Sequence, residues 1–252
     1  MDDALRQFFE GLVVGLDPVA RFERAIGDAD EWQREVLLTD PSGQPEDQFV
    51  TVLASRQTGK STTIGCLAYD DVTRGKTCLL AAPSQRQSQE LLRRITAFVQ
   101  SDPVPPKLVR SSLSEIETSD GGRVISIPAT DGARGFTCDT LILDEAAWLD
   151  DDAIAALLPM RKPDGRVLMM STPRGREGFF HDTWSAGRTR RIFARSVDIP
   201  RLASKVEYDR RFMSEIRFRA EHLCEFLGGG LPLISRDVLD RAISERPALC
   251  LI

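Results

Sequence analysis

The stretch "VTVLASRQTGKSTTIGCLAY", residues 50–69, constrains the fold more than any other part of the chain. An apolar, β-branched run ends at Ala54, a short loop containing Thr58 and Gly59 follows, and Lys60, Ser61 and Thr62 open a segment with helical patterning. Strand, loop and helix in that order form a cradle for an anion, because the loop's N–H groups and the positive end of the helix face the same point. In the pattern G-x-x-x-x-G-K-[ST] the lysine reaches the terminal phosphates of a nucleotide and the next hydroxyl holds Mg2+. Lys60 and Ser61 occupy those places, and Ser55, Arg56, Gln57, Thr58, Gly59 and Thr62 make up the rest of the predicted nucleotide cradle. Two letters depart from the pattern: Ala54 stands where the first glycine is expected, and Arg56 lies inside the loop.

The segments around the loop set the fold class. Apolar runs at 48–54, 77–83, 123–129, 140–145, 166–172 and 191–199 alternate with helical patterns at 61–73, 84–100, 151–159 and 176–186. That rhythm predicts an α/β P-loop NTPase whose mostly parallel central sheet is flanked by helices. Ser84 is a candidate N-cap, and Leu91, Leu92, Ile95 and Val99 form one stripe of the second helix. Gly75 and Asp102-Pro103 stop the first two helices, and "SDGG" at 119–122 is the turn of a candidate hairpin over 114–129. Beyond Pro200 the character changes to a long amphipathic pattern over 204–227, with Phe212, Ile216 and Leu223 toward one side, followed by "GGGLP". We therefore expect an ATPase core over 1–200 and a small helical lid or linker over 201–252.

Composition excludes several classes. Hydrophobic residues at 42% and charged residues at 28% do not describe a disordered chain, and no apolar run is long enough for a bilayer. The start, "MDDALRQFFEGL", lacks a basic segment leading into an apolar one, so a cytoplasmic setting is expected. Five cysteines (Cys66, Cys78, Cys138, Cys224 and Cys250) without a C-x-x-C pair read as small hydrophobes, and His181 and His222 lack metal-ligand spacing. A net charge of −5 argues against a uniformly basic nucleic-acid coat, leaving the basic runs at 188–195 and 209–219 as solvated faces or a local channel.

Further residues fit nucleotide chemistry. "TLILDEAAWLDDD" is an apolar strand ending in Asp144-Glu145. A carboxylate at the C-terminal end of a parallel strand faces the same crevice as the phosphate loop, so Asp144 is the candidate Mg2+ ligand and Glu145 the candidate base for attack of water on the γ-phosphate. "RVLMMSTPRG" at 166–175 brings Ser171 and Thr172 to another strand end, where a hydroxyl can register the γ-phosphate, or simply close an ordinary strand exit. Gln33, in "DADEWQREVL", offers a primary amide for an adenine edge, although alone it reads as a surface glutamine. Arg134, flanked by Gly132 and Gly135, is a candidate arginine finger for its own site or a neighbour's.

Taken together, "SRQTGKST", "LILDEAAW", "STPRG", the early "WQ" and "GARGF" resemble the ATPase domain of the large terminase subunit, the DNA-packaging motor of tailed bacteriophages and related viruses. That family's loop commonly lacks the first glycine and carries an arginine, so Ala54 and Arg56 narrow the assignment. The resemblance implies an ATPase of the additional-strand, catalytic-glutamate class, with ATP and Mg2+ as cofactors. By it, Arg56, Lys60 and Ser61 contact phosphates and metal, Asp144 binds metal, Glu145 is catalytic and Gln33 recognises adenine. Thr172 would couple hydrolysis to movement, and Arg134 would act across a subunit boundary. The implied partners are double-stranded DNA, a portal protein, a small terminase subunit and further copies in a ring, with a monomer as the alternative for the isolated domain, acting in host cytoplasm at the procapsid without membrane contact. Full-length relatives carry a ribonuclease-H-like nuclease; "LCEFLGGGLPLISRDVLDRAI" resembles the approach to it, and no DNA cleavage is expected of this chain.

Two rival readings share these residues. A helicase-like translocase has the Asp-Glu strand and a similar coupling element, but calls for a second motor domain with its own arginine motif. An ATP-dependent assembly switch would bind nucleotide without hydrolysis, which leaves Glu145 without a purpose.

Overall fold

Runs that are apolar at nearly every position require a sheet covered on both faces, and the computed structural model, which describes residues 11–130 and 135–228, contains such a sheet. Its strands are β1 (Phe49–Ala54), β2 (Thr77–Ala82), β3 (Leu108–Ser111), β4 (Glu115–Thr118), β5 (Arg123–Pro128), β6 (Cys138–Asp144), β7 (Arg161–Ser171) and β8 (Arg190–Ala194). They lie in the order β3-β4-β5-β2-β6-β7-β1-β8. The six strands from β5 to β8 are parallel, and β4 and β3 extend one edge antiparallel. One strand, β7, is therefore inserted between the phosphate-loop strand β1 and the Asp-Glu strand β6, which bears out the expected additional-strand class.

Successive residues of each strand face opposite sides. Val50, Val52 and Ile142 join one core under α1 (Pro18–Ile26), α2 (Glu31–Leu37), α3 (Lys60–Thr73) and α4 (Gln85–Ser101). Leu53, Leu141 and Leu143 join the other, under α5 (Asp151–Leu157) and α6 (Phe179–Ala186). Ser84 caps α4 as expected, its Oγ accepting from Gln87 N at 3.3 Å. A buried ion pair ties the bottom of the sheet to α3: Arg166 Nη2 donates to both carboxylate oxygens of Asp71 at 3.2 Å, while its Nε donates to Thr140 Oγ1 at 3.1 Å.

The departures from the sequence reading have local causes. Strand β7 starts at Arg161 because "RKPDG" bulges and still pairs, its register shifting between Cys138↔Arg161 and Thr140↔Arg166. Strand β8 ends at Ala194, short of the expected 199, because Ser196 N turns away to Ser55 Oγ at 3.0 Å. The long pattern over 204–227 is two helices, α7 (Ala203–Phe212) and α8 (Glu215–His222), broken where Ser214 caps the second. That break removes the expected stripe: Phe212 and Ile216 are exposed, and Val206 and Phe218 face inward instead.

Candidate active site

Four segments meet at the C-terminal edge of the sheet: the loop after β1, the first turn of α3, the pair Asp144-Glu145 after β6, and Ser171-Thr172 at the end of β7. The register Asp144↔Met170 and Leu53↔Ser171 brings these strand ends level. In the loop, Gln57 (φ 60°) and Gly59 (φ 100°) take left-handed backbone, an alternation that turns successive N–H groups into an anion-binding concavity. Ala54 is fully buried, paired with Ala194 of β8, and needs no positive φ, so the missing glycine does not disturb the loop.

The predicted cradle residues divide into two sets. Ser55 and Thr58 are buried beneath the loop: Thr58 Oγ1 donates to the Ser55 carbonyl at 3.0 Å, and Ser55 Oγ points away to donate to the His222 carbonyl at 3.0 Å. Arg56, Gln57, Gly59, Lys60, Ser61 and Thr62 line a cavity of about 730 Å3, which Glu145 and Thr172 close from the opposite side. That volume is of the size that takes a small organic ligand. Gln87, Arg94 and Trp148 also line it and were not foreseen. Gln87 and Arg94 are seven apart, two turns of one helix, a signal that becomes readable only once α4 is known to cross α3. Gly65 permits that crossing, since a Cβ there would sit 3.0 Å from Arg94 Cβ.

Glu145 is held in an unusual way. Its backbone is left-handed (φ 49°, ψ 44°), a conformation uncommon for a non-glycine residue. Ala147 N donates to Ser171 Oγ at 3.1 Å and Trp148 N to the Glu145 carbonyl at 2.8 Å, fixing the turn. Thr172 donates to Glu145 Oε2 through Oγ1 at 3.3 Å and N at 3.4 Å, while Lys60 Nζ lies 3.4 Å from Oε1. Strand tip, carboxylate and loop lysine thus form one chain of contacts. Lys60 also donates to the Ser55 carbonyl at 3.3 Å.

Asp144 lies deeper, and its Oδ1 is buried without a hydrogen-bond partner. Burial, and then the charge of Glu145, push its carboxyl up to about 7, against the opposing pull of Lys60. A buried, unpartnered carboxyl oxygen beside a second carboxylate is compensated either by a proton or by a cation. Among the described residues no group of three or more His, Cys, Asp or Glu could hold a metal by itself. The donors here are Asp144 and the hydroxyl of Ser61 in the cavity wall, an oxygen set that leaves most positions to water and phosphate; these residues fit Mg2+.

Gln33 is buried against the loop, its Oε1 accepting from Asp30 N at 2.9 Å and its Nε2 donating to Thr63 Oγ1 at 3.0 Å. It borders a second cleft, of about 1080 Å3, on the other side of Gly59, together with Trp32, Phe193, Ile199 and Arg201. Arg134 lies outside the described residues. His222, read in the sequence only as lacking metal-ligand spacing, is buried between Ser196 Oγ at 2.7 Å and Asp209 Oδ2 at 3.2 Å, and its carbonyl receives Ser55.

Residues 51–180 match the family model for the helicase domain of the RNA cytidine acetyltransferase NAT10/TcmA, just over half of the chain. The chain belongs to this helicase-domain family. The kinship is a distant one between P-loop ATPase cores, and acetylation is a property of the proteins for which the family is described. In three dimensions this P-loop ATPase core is similar to the large terminase ATPase domain of Thermus phage P74-26, with a TM-score of 0.67 and 19% identity over 84% of this chain and 100% of that one. It is also similar to the HK97 bacteriophage large terminase (TM-score 0.64, 16% identity, 84% of this chain and 55% of that one). A large terminase from a thermophilic bacteriophage, solved in complex with ADP, matches with a TM-score of 0.62 and 12% identity over 79% of this chain and 54% of that one. The chain thus spans about half the length of the two larger terminases. No curated protein matches by sequence. The resemblance read from the motifs therefore holds for the fold. No described helix is long and apolar enough to cross a membrane.

Proposed function

We propose that the chain hydrolyses ATP with Mg2+ and is the motor part of a terminase-type DNA-packaging machine. The observation that carries this reading is the meeting of Lys60, Glu145 and the buried Asp144 at one rim of the sheet, with Lys60 Nζ 3.4 Å from Glu145 Oε1. The loop N–H groups, Lys60 and Arg56 hold the triphosphate, and the base lies in the second cleft beside Gln33 and Trp32. Ser61 and Asp144 would hold Mg2+, which when bound would supply positive charge to offset that of the triphosphate. Glu145, released from Lys60 when the lysine turns to phosphate, accepts a proton from the attacking water. Thr172, hydrogen-bonded to that carboxylate, reports the change to β7. We assign the helices after Pro200 as the lid whose packing changes with nucleotide, and Arg134 as the finger offered to a neighbouring subunit of a ring. Double-stranded DNA, a portal and a small terminase subunit are the partners this reading entails.

Phosphate release measured with Mg2+ and ATP, with and without duplex DNA, tests the proposal. Turnover should depend on Mg2+ and rise with duplex DNA. Glu145→Gln should lower kcat by about 10²–10⁴-fold with ATP affinity little changed. Lys60→Ala should weaken ATP binding by roughly 100-fold, a loss of about 2.7 kcal/mol. Wild-type turnover by Glu145→Gln would refute the assignment of the base.

A second reading is a helicase-like P-loop ATPase, favoured by the helicase-domain family match over 51–180. Stimulation by single-stranded nucleic acid in preference to duplex DNA would select it.

A further inference from the structure

Arg201, just beyond Pro200, makes contacts that the catalytic reading does not use. Its Nη2 donates to the carbonyl of Thr58 in the phosphate loop at 2.7 Å and to Asp30 Oδ2 at 2.6 Å, and its Nε lies 3.1 Å from both Asp30 oxygens. Asp30 is itself fixed as the N-cap of α2, in a capping box with Gln33. Gln33 in turn packs so closely on the loop that a Cβ at Gly59 would come within 2.8 Å of its Nε2 and 3.7 Å of Arg201 Nη2. Two segments far apart in sequence, Arg201 and the start of α2, thus close on one peptide group, the bond between Thr58 and Gly59.

That peptide is trans, so its carbonyl and its N–H point in opposite directions. Arg201 stands in the second cleft, and Gly59 forms the wall shared by that cleft and the cavity of Lys60, Ser61 and Glu145. A carbonyl pulled toward Arg201 turns the Gly59 N–H toward the cavity. We propose that Arg201 is a positioning residue for the phosphate loop: braced by Asp30, it sets the Thr58–Gly59 peptide so that the Gly59 N–H donates to the triphosphate. A planar guanidinium serves two acceptors at once with fixed geometry, which an ammonium does not. The inference rests on the ATPase reading and adds to it a link from the first residues after Pro200 into the loop.

The test is binding of a fluorescent ATP analogue with Mg2+ to the full chain, followed by displacement with inorganic tripolyphosphate. Arg201→Ala should weaken both ligands by about tenfold, near 1.4 kcal/mol, with KM raised and kcat little changed. Arg201→Lys should recover only part of the loss, and Asp30→Asn, which keeps the helix cap, should weaken binding in the same direction. An effect on ATP without one on tripolyphosphate would mean that Arg201 touches the base or ribose, and would overturn the inference. So would a lowered Tm in Arg201→Lys with unchanged affinity for both ligands, the mark of a merely structural role. Failure of the wild-type chain to bind either ligand would instead overturn the ATPase reading, and the inference with it.

Discussion

Asp144 illustrates how much of the site rests on single side chains. Burial pushes its carboxyl up to about 7 in the folded chain from the ordinary 3.8 of an aspartate, so between those values the folded state binds more protons than the unfolded one. Stability without Mg2+ should therefore fall as pH rises from 3.8 to about 7, and Asp144→Asn should remove that slope in pH-dependent thermal melts. Mg2+ binding requires the deprotonated carboxylate, so as pH falls below about 7 its affinity, read by calorimetry, should drop by up to about tenfold per pH unit. The identities of Lys60, Ser61, Asp144 and Glu145 were legible in the sequence because each sits next to a strand end or helix start that the hydrophobic pattern marks. The left-handed backbone of Gln57 and Glu145 was not, since neither residue type announces a positive φ. The inward turn of Ser55 and Thr58 was equally hidden, because their partners come from the loop's own carbonyl and from residue 222.

At the scale of elements, the six parallel strands were legible because a sheet buried on both faces needs unbroken apolar runs, as "TLILD" and "RVLMMS" display. Strand β3 carried no such signal: Leu108–Ser111 lies on an edge with Val109, Arg110 and Ser111 exposed. The break at Ser214 was hidden because a helix N-cap inside a continuous helical pattern is read only with the backbone in view. Asp71 and Arg166 show an element-level tie absent from any motif, joining the C-terminal turn of α3 to β7 across 95 positions. Asp71→Ala leaves the Arg166 guanidinium buried without its counter-ion and should cost roughly 3–5 kcal/mol in denaturant unfolding. Thr172→Ala removes a hydroxyl donor to Glu145 at the tip of β7. It should lower kcat by about 10–100-fold while ATP binding persists, because the carboxylate loses its placement rather than its charge.

For the whole molecule, strand order decides more than any single residue. Inserting β7 between β6 and β1 places the carboxylates, the hydroxyls of Ser171 and Thr172 and the phosphate loop on three neighbouring strand ends, at one crevice. The connection from Ser55 through His222 to Ser196 and Asp209 joins that crevice to α7 and α8, the helices assigned to move with nucleotide. If Arg134 serves a neighbouring site, Arg134→Ala mixed with Glu145→Gln should regain turnover that neither has alone, and specific activity should climb steeply with protein concentration. Equal, concentration-independent activity would confine Arg134 to its own subunit. On the proposed function, Lys60, Asp144 and Glu145 act on one magnesium-bound triphosphate. A crystal structure of the chain with Mg2+ and a non-hydrolysable ATP analogue tests it most directly. Lys60 should lie on the terminal phosphates, Asp144 and Ser61 around the metal, and Glu145 within hydrogen-bonding reach of a water in line with the γ-phosphate; a triphosphate seated away from these side chains would show that they do not share one site.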